Sequence, residues 1–321
     1  MFETIRRVGI VSRAEFILPN LGSLIMGFAW GASPPLGLIK GAILVILSFA
    51  VINLSSAIGA QANTLSDYEL DLKDGRKKQL VQAMDSFGQE RLKALLIGEF
   101  VIALVLVSFF VLIQGKPILL IMWIIGISLG YAYSAPPLRL KSRSWVAPVA
   151  LILVLAVLPV LFAYYTFASE INPFFLLSLT GLAFTVYGVI IPTEIRDYFG
   201  DKAMGIETMT VRLGLVRASF LGSVLLSTGA VFTGTAFFFE WAYGHHTWLT
   251  VLLLAIPVSG LFVLGKFKKL YYLSKEYMSS SGQSFADEIA SLSAHNPQWI
   301  MLVTQTYSFL SIILLASKFL F

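Results

Sequence analysis

The chain contains no cysteine and only three histidines, His245, His246 and His295. The first absence excludes disulfide frameworks, thiolate metal sites and thiol nucleophiles, and it leaves the redox compartment open. The second argues against a His-ligated zinc or haem centre. Charge is scarce too: Asp, Glu, Lys and Arg make up 13% of the 321 residues, against about 25% in soluble domains. Hydrophobic residues supply 57% of the chain and the mean hydropathy is +0.81. So little charge on so much apolar side chain describes an all-α integral membrane protein. The polar start MFETIRRVGIVSRAE leads into an apolar run broken by Pro19 and Gly22, with no small-residue cleavage site, so no cleavable signal is expected.

A bilayer core about 30 Å thick needs roughly 20 apolar residues per helix. Runs of that kind predict nine transmembrane helices, over residues 14–32, 36–62, 93–114, 117–134, 145–167, 173–193, 215–239, 247–265 and 299–320, in a single domain spanning 1–321. With the N-terminus in the cytoplasm, the N-terminal segment and the even-numbered loops collect nearly all the basic residues. Of the 23 Lys and Arg, only Lys40, Lys116 and Lys318 fall on the opposite side, as the positive-inside rule requires. The net charge of +5 is therefore topological and gives no reason to expect nucleic acid as a partner. The longest polar segment, Lys266 to Gln298, reads as a flexible SSSGQ loop followed by a short helix beginning near Ser284.

Against this background two acidic motifs stand out. NTLSDYELD ends the second apolar run with Asn63, Asp67 and Asp71 at four-residue spacing. EIRDYFGD ends the sixth with Glu194, Asp197 and Asp201 at spacings of three and four. On an α-helix each trio shares one face. Both trios fall at the expected cytoplasmic ends of even-numbered helices, which suggests a pseudo-repeat that brings two carboxylate faces to one cavity. One cluster alone reads equally well as a solvated helix end. A carboxylate within a bilayer segment costs roughly 2.5–3.5 kcal/mol, so five of them would cost on the order of 10 kcal/mol without a compensating cation. Hard oxygen donors with no His or Cys nearby point to Mg2+, held by carboxylates, water and substrate phosphates. Cations surround the acids: Arg76, Lys77 and Lys78 after the first motif, Lys202 after the second, Arg139 and Lys141 in YSAPPLRLK. Each alone reads as a topogenic charge; together with the acids they make a site shaped for a diphosphate.

These residues resemble the signatures of the UbiA superfamily of intramembrane prenyltransferases. Asn63, Asp67 and Asp71 match its NxxxDxxxD motif, and Asp197 and Asp201, with Lys202, Gly205, Thr208 and Gly214, match its DxxxD motif and the GxxT turn after it. SRAEF from Ser12 resembles the usual SRPEF-type start with Ala14 in place of Pro. The chain departs from the family after the first Asn, where it has Thr64 and Leu65, and after Asp71, where DGRKKQLVQAMDSFG replaces an Arg-Pro and Pro-Ser-Gly element.

The resemblance implies about nine helices around a central cavity, capped on the cytoplasmic side and open sideways to lipid. It implies transfer of a prenyl group from an allylic isoprenyl diphosphate to a hydrophobic acceptor, with diphosphate released. Asp67, Asp71, Asp197 and Asp201 would hold two Mg2+ ions, with Asn63 and Glu194 completing or orienting the shells. Lys141, Arg139, Arg76, Lys77 and Lys202 would bind the leaving diphosphate, and Tyr133 would face the carbocation or serve as an interfacial belt residue. The acceptor stays open between a quinone precursor, a tetrapyrrole, a haem and a glycerophosphate lipid, as do prenyl length and oligomeric state. The competing reading is a cation-coupled transporter, whose acids would sit near the midplane in broken helices.

Overall fold

The computed structural model describes residues 2–74, 78–280 and 283–320. Among them the chain is helical throughout. It opens with α1 (Phe2–Val11), α2 (Ile17–Gly31), the long α3 (Leu38–Asp74), α4 (Lys78–Phe87), α5 (Gln89–Gln114) and α6 (Pro117–Ser134). There follow α7 (Val146–Ile152), α8 (Leu158–Tyr165), α9 (Pro173–Ala203), α10 (Met209–Leu213), α11 (Leu215–Tyr243), α12 (Ala255–Ser280), α13 (Gln283–Ser293) and α14 (Asn296–Leu320). A wide π-helical turn, Leu153–Val157, joins α7 to α8. Pro159 explains it: the ring removes the N–H that a regular helix would donate to Leu155, and the helix relaxes into a wider register.

Eight stretches among the described residues are long and apolar enough to cross a membrane, against the nine expected. The shortfall lies at residues 14–32, where a 3-10 turn (Ala14–Phe16) precedes α2 of only 15 residues. Helix α12 runs on to Ser280 rather than stopping near residue 265. No proline interrupts it there, and its lysines extend a helix as readily as they end one. The short helix expected near Ser284 is α13; of the SSSGQ stretch, Ser281 and Gly282 lie outside the described residues.

Side chains gather into two apolar packings. One, around Val51, Val107, Phe110, Trp123 and Phe162, joins α3, α5, α6 and α8. The other, around Leu182, Val189, Leu226, Phe267 and Val303, joins α9, α11, α12 and α14. Helices α9 and α11 meet backbone to backbone. A Cβ on Gly181 would lie 2.8 Å from the Gly229 carbonyl oxygen, and one on Gly229 would lie 2.6 Å from the Gly181 carbonyl oxygen. Where lipid offers no hydrophobic drive between helices, small residues that allow such close approach supply the packing. Above the crossing the Tyr307 hydroxyl of α14 lies 3.0 Å from Thr185 Oγ1 and 2.6 Å from Thr233 Oγ1, tying three helices together.

Two of the three lysines on the side away from the acids are built in. Lys116 Nζ donates to the carbonyls of Tyr165, Phe167 and Ala168 at 3.0, 3.3 and 2.7 Å, and burial pulls its ammonium below the usual lysine range. Lys318 Nζ donates to those of Ala29, Trp30 and Ala32 at 3.2, 2.9 and 3.4 Å. Each satisfies the orphan carbonyls at a helix C-terminus, where positive charge also suits the helix dipole.

Gly229→Val overfills the α9–α11 crossing and is expected to cost about 1–3 kcal/mol, read as a lowered melting temperature in detergent. Gly265→Ala, with nothing within 4 Å of the new carbon, is expected to leave the melting temperature unchanged or raise it slightly.

Candidate active site

A cavity of about 550 Å3 lies between the two packings, lined by residues of α2, α3, α6, α7, α8, α9 and α14. Asn63, Asp67 and Asp71 reach it from α3 and Glu194, Asp197 and Asp201 from α9, so both expected trios face one space. Tyr133 lines it between them, where the charges of Glu194, Asp67 and Asp201 all act on its phenol. Toward the other end the walls become apolar, with Met122, Trp123, Leu158 and Phe162. Leu155, in the π-turn, both lines the cavity and is 38% exposed.

Asp67 is 6% exposed and fully engaged. Its Oδ2 accepts from Asn63 Nδ2 at 3.0 Å, and Asn63 in turn donates to Ser134 Oγ at 2.7 Å. Its Oδ1 pairs with Lys141 and, at 3.2 Å, with Arg139 Nη2. Those two cations come from the turn after α6. Arg139 takes a left-handed backbone, φ 38, held by its carbonyl, which accepts from Ser142 Oγ at 2.8 Å. The 3-10 turn Leu140–Ser142 follows directly and carries Lys141. A non-glycine residue in that region is strained, and the strain here aims two cations at one carboxylate.

Glu194 is held from a segment distant in sequence. Thr210 Oγ1 donates to its Oε2 at 2.8 Å and the Tyr187 hydroxyl to its Oε1 at 3.5 Å. Thr210 is placed by α10, whose N-terminus is capped by the Thr208 side chain accepting from Val211 N at 3.3 Å. The turn around it needs Gly205 at φ 69 and Gly214 at φ 79, which explains the small residues of the GxxT signature. Asn296 Nδ2 donates to Thr193 Oγ1 at 2.6 Å, fixing the start of α14 against the same turn of α9.

The residues that depart from the family pattern fasten neighbouring helices to α3. Thr64 Oγ1 donates to the Val11 carbonyl at 3.3 Å, and Leu65 packs against a small core of Val11, Ala83, Met84 and Leu92, which joins α1, α4 and α5 to α3.

Not every expected residue arrives at the cavity. Lys202 is exposed, its ammonium 5.6 Å from the centre of the Tyr198 ring. Lys78 is exposed at the start of α4, and Arg76 and Lys77 lie outside the described residues. Conversely, Arg13, Thr193 and Arg196 line the cavity without having been anticipated. Arg13 carries a positive φ of 54 directly after α1, and Arg196 had read only as a topogenic charge.

Among the described residues no three His, Asp or Glu side chains are gathered closely enough to hold a metal ion by themselves. The donor set is nonetheless all oxygen and split between two walls of one cavity. An ion here would take a carboxylate or two from the protein and complete its shell with water or phosphate oxygens, the usual manner of binding Mg2+. The residues present fit that ion.

A multi-helix membrane protein whose inner cavity joins paired carboxylates and cations to an apolar chamber is the class that fold and site define. The UbiA prenyltransferase family is matched over residues 19–279, and the chain belongs to that family. It is similar to homogentisate phytyltransferase of Synechocystis sp., with 34% identity over 33% of this chain and 36% of that protein. It is also similar to the chloroplastic chlorophyll synthase of Oryza sativa subsp. japonica, with 28% identity over 33% of this chain and 28% of that protein. The chain thus spans about a third of the length of these relatives. Among solved structures, a UbiA homolog from Archaeoglobus fulgidus bound to GPP and Mg2+ superposes with TM-score 0.58 at 19% identity, over 93% of this chain and 99% of that one. A digeranylgeranylglyceryl phosphate synthase superposes with TM-score 0.59 at 14% identity, over 97% of this chain and 99% of that one. At such identities the likeness is one of fold.

Lys141→Met leaves Asp67 with one of its two cations and is expected to destabilise the protein, by up to about 3–5 kcal/mol if the charge stays buried. Adding Asp67→Asn in the same chain is expected to restore most of the loss, read as the coupling in a double-mutant cycle of melting temperatures.

Proposed function

We propose that this chain is a Mg2+-dependent intramembrane prenyltransferase. One observation carries the reading: two sets of carboxylates, each already matched to basic side chains, face one cavity that continues into an apolar chamber. An isoprenyl diphosphate has that same division, a polyanionic head on an apolar tail.

Asp67, Asp71, Asp197 and Asp201 would hold two Mg2+ ions, with Asn63 and Glu194 orienting the donors. Bound Mg2+ supplies charge neutralisation to a diphosphate leaving group. The protein's own part is to bind and orient. Lys141 lines the cavity and Arg139 shares its contact with Asp67, so charge developing on a diphosphate between the acids would find preorganised donors. The allylic C1–O bond breaks with its electron pair passing to the diphosphate, and an acceptor carbon or oxygen captures the cation and then loses a proton. Tyr133 presents its ring to that cation, an interaction of about 0.5–2 kcal/mol. The apolar chamber and the α1–α4 cover keep water from the cation. The acceptor is a hydrophobic molecule, aromatic or lipid.

The substrate's tail decides how it arrives. At about 0.8 kcal/mol per buried CH2, a prenyl chain of fifteen or more carbons holds to the bilayer by over roughly 10 kcal/mol. Access is therefore lateral, and Leu155 and Ile17, apolar lining residues that are themselves exposed, mark where the wall opens. With the 3-10 turn ahead of it, α2 crosses as a ninth span, and the end bearing the acids faces the cytoplasm with the N-terminus.

Binding of a nonhydrolysable geranylgeranyl thiodiphosphate is expected to depend on Mg2+ and to fall by about 10² or more in Asp67→Asn, measured on purified protein in detergent. Binding indifferent to both would remove the reading. Because the chain lacks cysteine, single cysteines report topology cleanly. Lys269→Cys is expected to react with an impermeant maleimide only from the cytoplasm and His245→Cys only from the other side.

A further inference from the structure

Asp197 carries the guanidinium of its own neighbour in sequence. Arg196 Nε lies 3.0 Å from Oδ1 and Nη2 lies 3.3 Å from Oδ2. Consecutive residues on an α-helix point about 100° apart, so this contact exists only because the arginine folds around α9 and lays its head group along the carboxylate. Both residues line the cavity. An arginine serving only to set orientation would extend toward water; this one turns inward.

The guanidinium takes one acceptor site on each Asp197 oxygen and neutralises the carboxylate. A metal ion binding there alone would face that cation at close range, so the guanidinium opposes it unless it moves away. A diphosphate changes that balance, since it offers paired oxygens of the kind a guanidinium prefers.

We propose that Arg196 is a partner-exchanging diphosphate ligand. It holds Asp197 when no diphosphate is present and so opposes a metal ion arriving alone. It transfers to the diphosphate when metal and diphosphate arrive together. Arg196 thereby couples the two bindings, and the inference rests on reading this cavity as a diphosphate site. The coupling has a purpose in a membrane enzyme of this kind: the acids are not loaded with metal until the substrate's head group is in place.

The test uses the whole chain in detergent and follows free Mn2+ by electron paramagnetic resonance, with and without inorganic diphosphate, corrected for the Mn2+–diphosphate complex in solution. In the wild type, diphosphate is expected to tighten Mn2+ binding by about tenfold or more, within the usual range of coupling between sites. In Arg196→Gln, Mn2+ alone is expected to bind about tenfold tighter than in wild type while Mn2+-dependent diphosphate binding weakens about tenfold, so that the coupling collapses. Arg196→Lys keeps the charge without the two-point contact and is expected to fall between. Opposite signs for metal and diphosphate are what a merely structural arginine would not give. If Arg196→Gln and Arg196→Lys weaken both ligands together, or change neither, the role of Arg196 is overturned and the diphosphate site stands. If the wild type binds no diphosphate at any Mn2+ concentration, the reading of the site falls and the proposal with it.

Discussion

A carboxylate at the inner end of a membrane helix must bring its own counter-charge, and most of the architecture around this cavity follows from that requirement. Asp67 and Asp71 are each only 6% exposed. Isolated charges so placed would be costly, and the chain meets the cost locally. A strained turn after α6 supplies Arg139 and Lys141 to Asp67, an arginine folded round its own helix serves Asp197, and a threonine from a separate short helix bonds Glu194. Each device is positioned by backbone features that have little other use, among them the left-handed Arg139 and the two positive-φ glycines around α10. A site assembled this way is charge-matched before any ligand reaches it. On the reading proposed above, its ligands would act by exchanging partners rather than by filling a bare acidic pocket.

The two apolar packings explain why the acids can face one another at all. Helix α3 belongs to one packing and α9 to the other, and the cavity is the space that neither fills. A third, smaller core packs α1, α4 and α5 against α3. Loss of packing in this third core need not disturb Asp67 or Asp197, whose cationic partners come from the turn after α6 and from α9 itself.

Much of this was legible in the sequence, and for identifiable reasons. The acid trios are visible because helical spacing is local: residues four apart share a face wherever the helix sits. Their convergence on one cavity follows from the length of the intervening segments and from the basic loops. What the sequence could not show depends on contacts between distant segments. Arg13 and Arg196 looked like orientation signals because that is what arginines beside membrane helices usually are, and only a folded backbone reveals which way they turn. Lys202 failed in the opposite sense, adjacent to the motif but drawn over Tyr198. Thr210, two residues past the Thr208 of the GxxT turn, carried no signal of its own, because its bond to Glu194 lies across a loop. The first expected span was weakened by its own proline and glycine, and it appears as a short helix behind a 3-10 turn. Lys116 and Lys318 were read as exceptions to a charge rule, whereas each is consumed by three carbonyls at a helix end.

The glycine crossing between α9 and α11 acts as a depth gauge. Gly181 and Gly229 press backbone on backbone, so α9 cannot slide along its neighbour without collision. Glu194 and Asp197 lie on the same helix, about 20 Å farther along at 1.5 Å per residue and just past Pro192. The height of the second set of acids along α11 is thereby set by a contact that lies outside the cavity. A change there would shift those acids along the helix axis, out of register with the first set on α3, while leaving every one of them in its proper sequence and on its proper face.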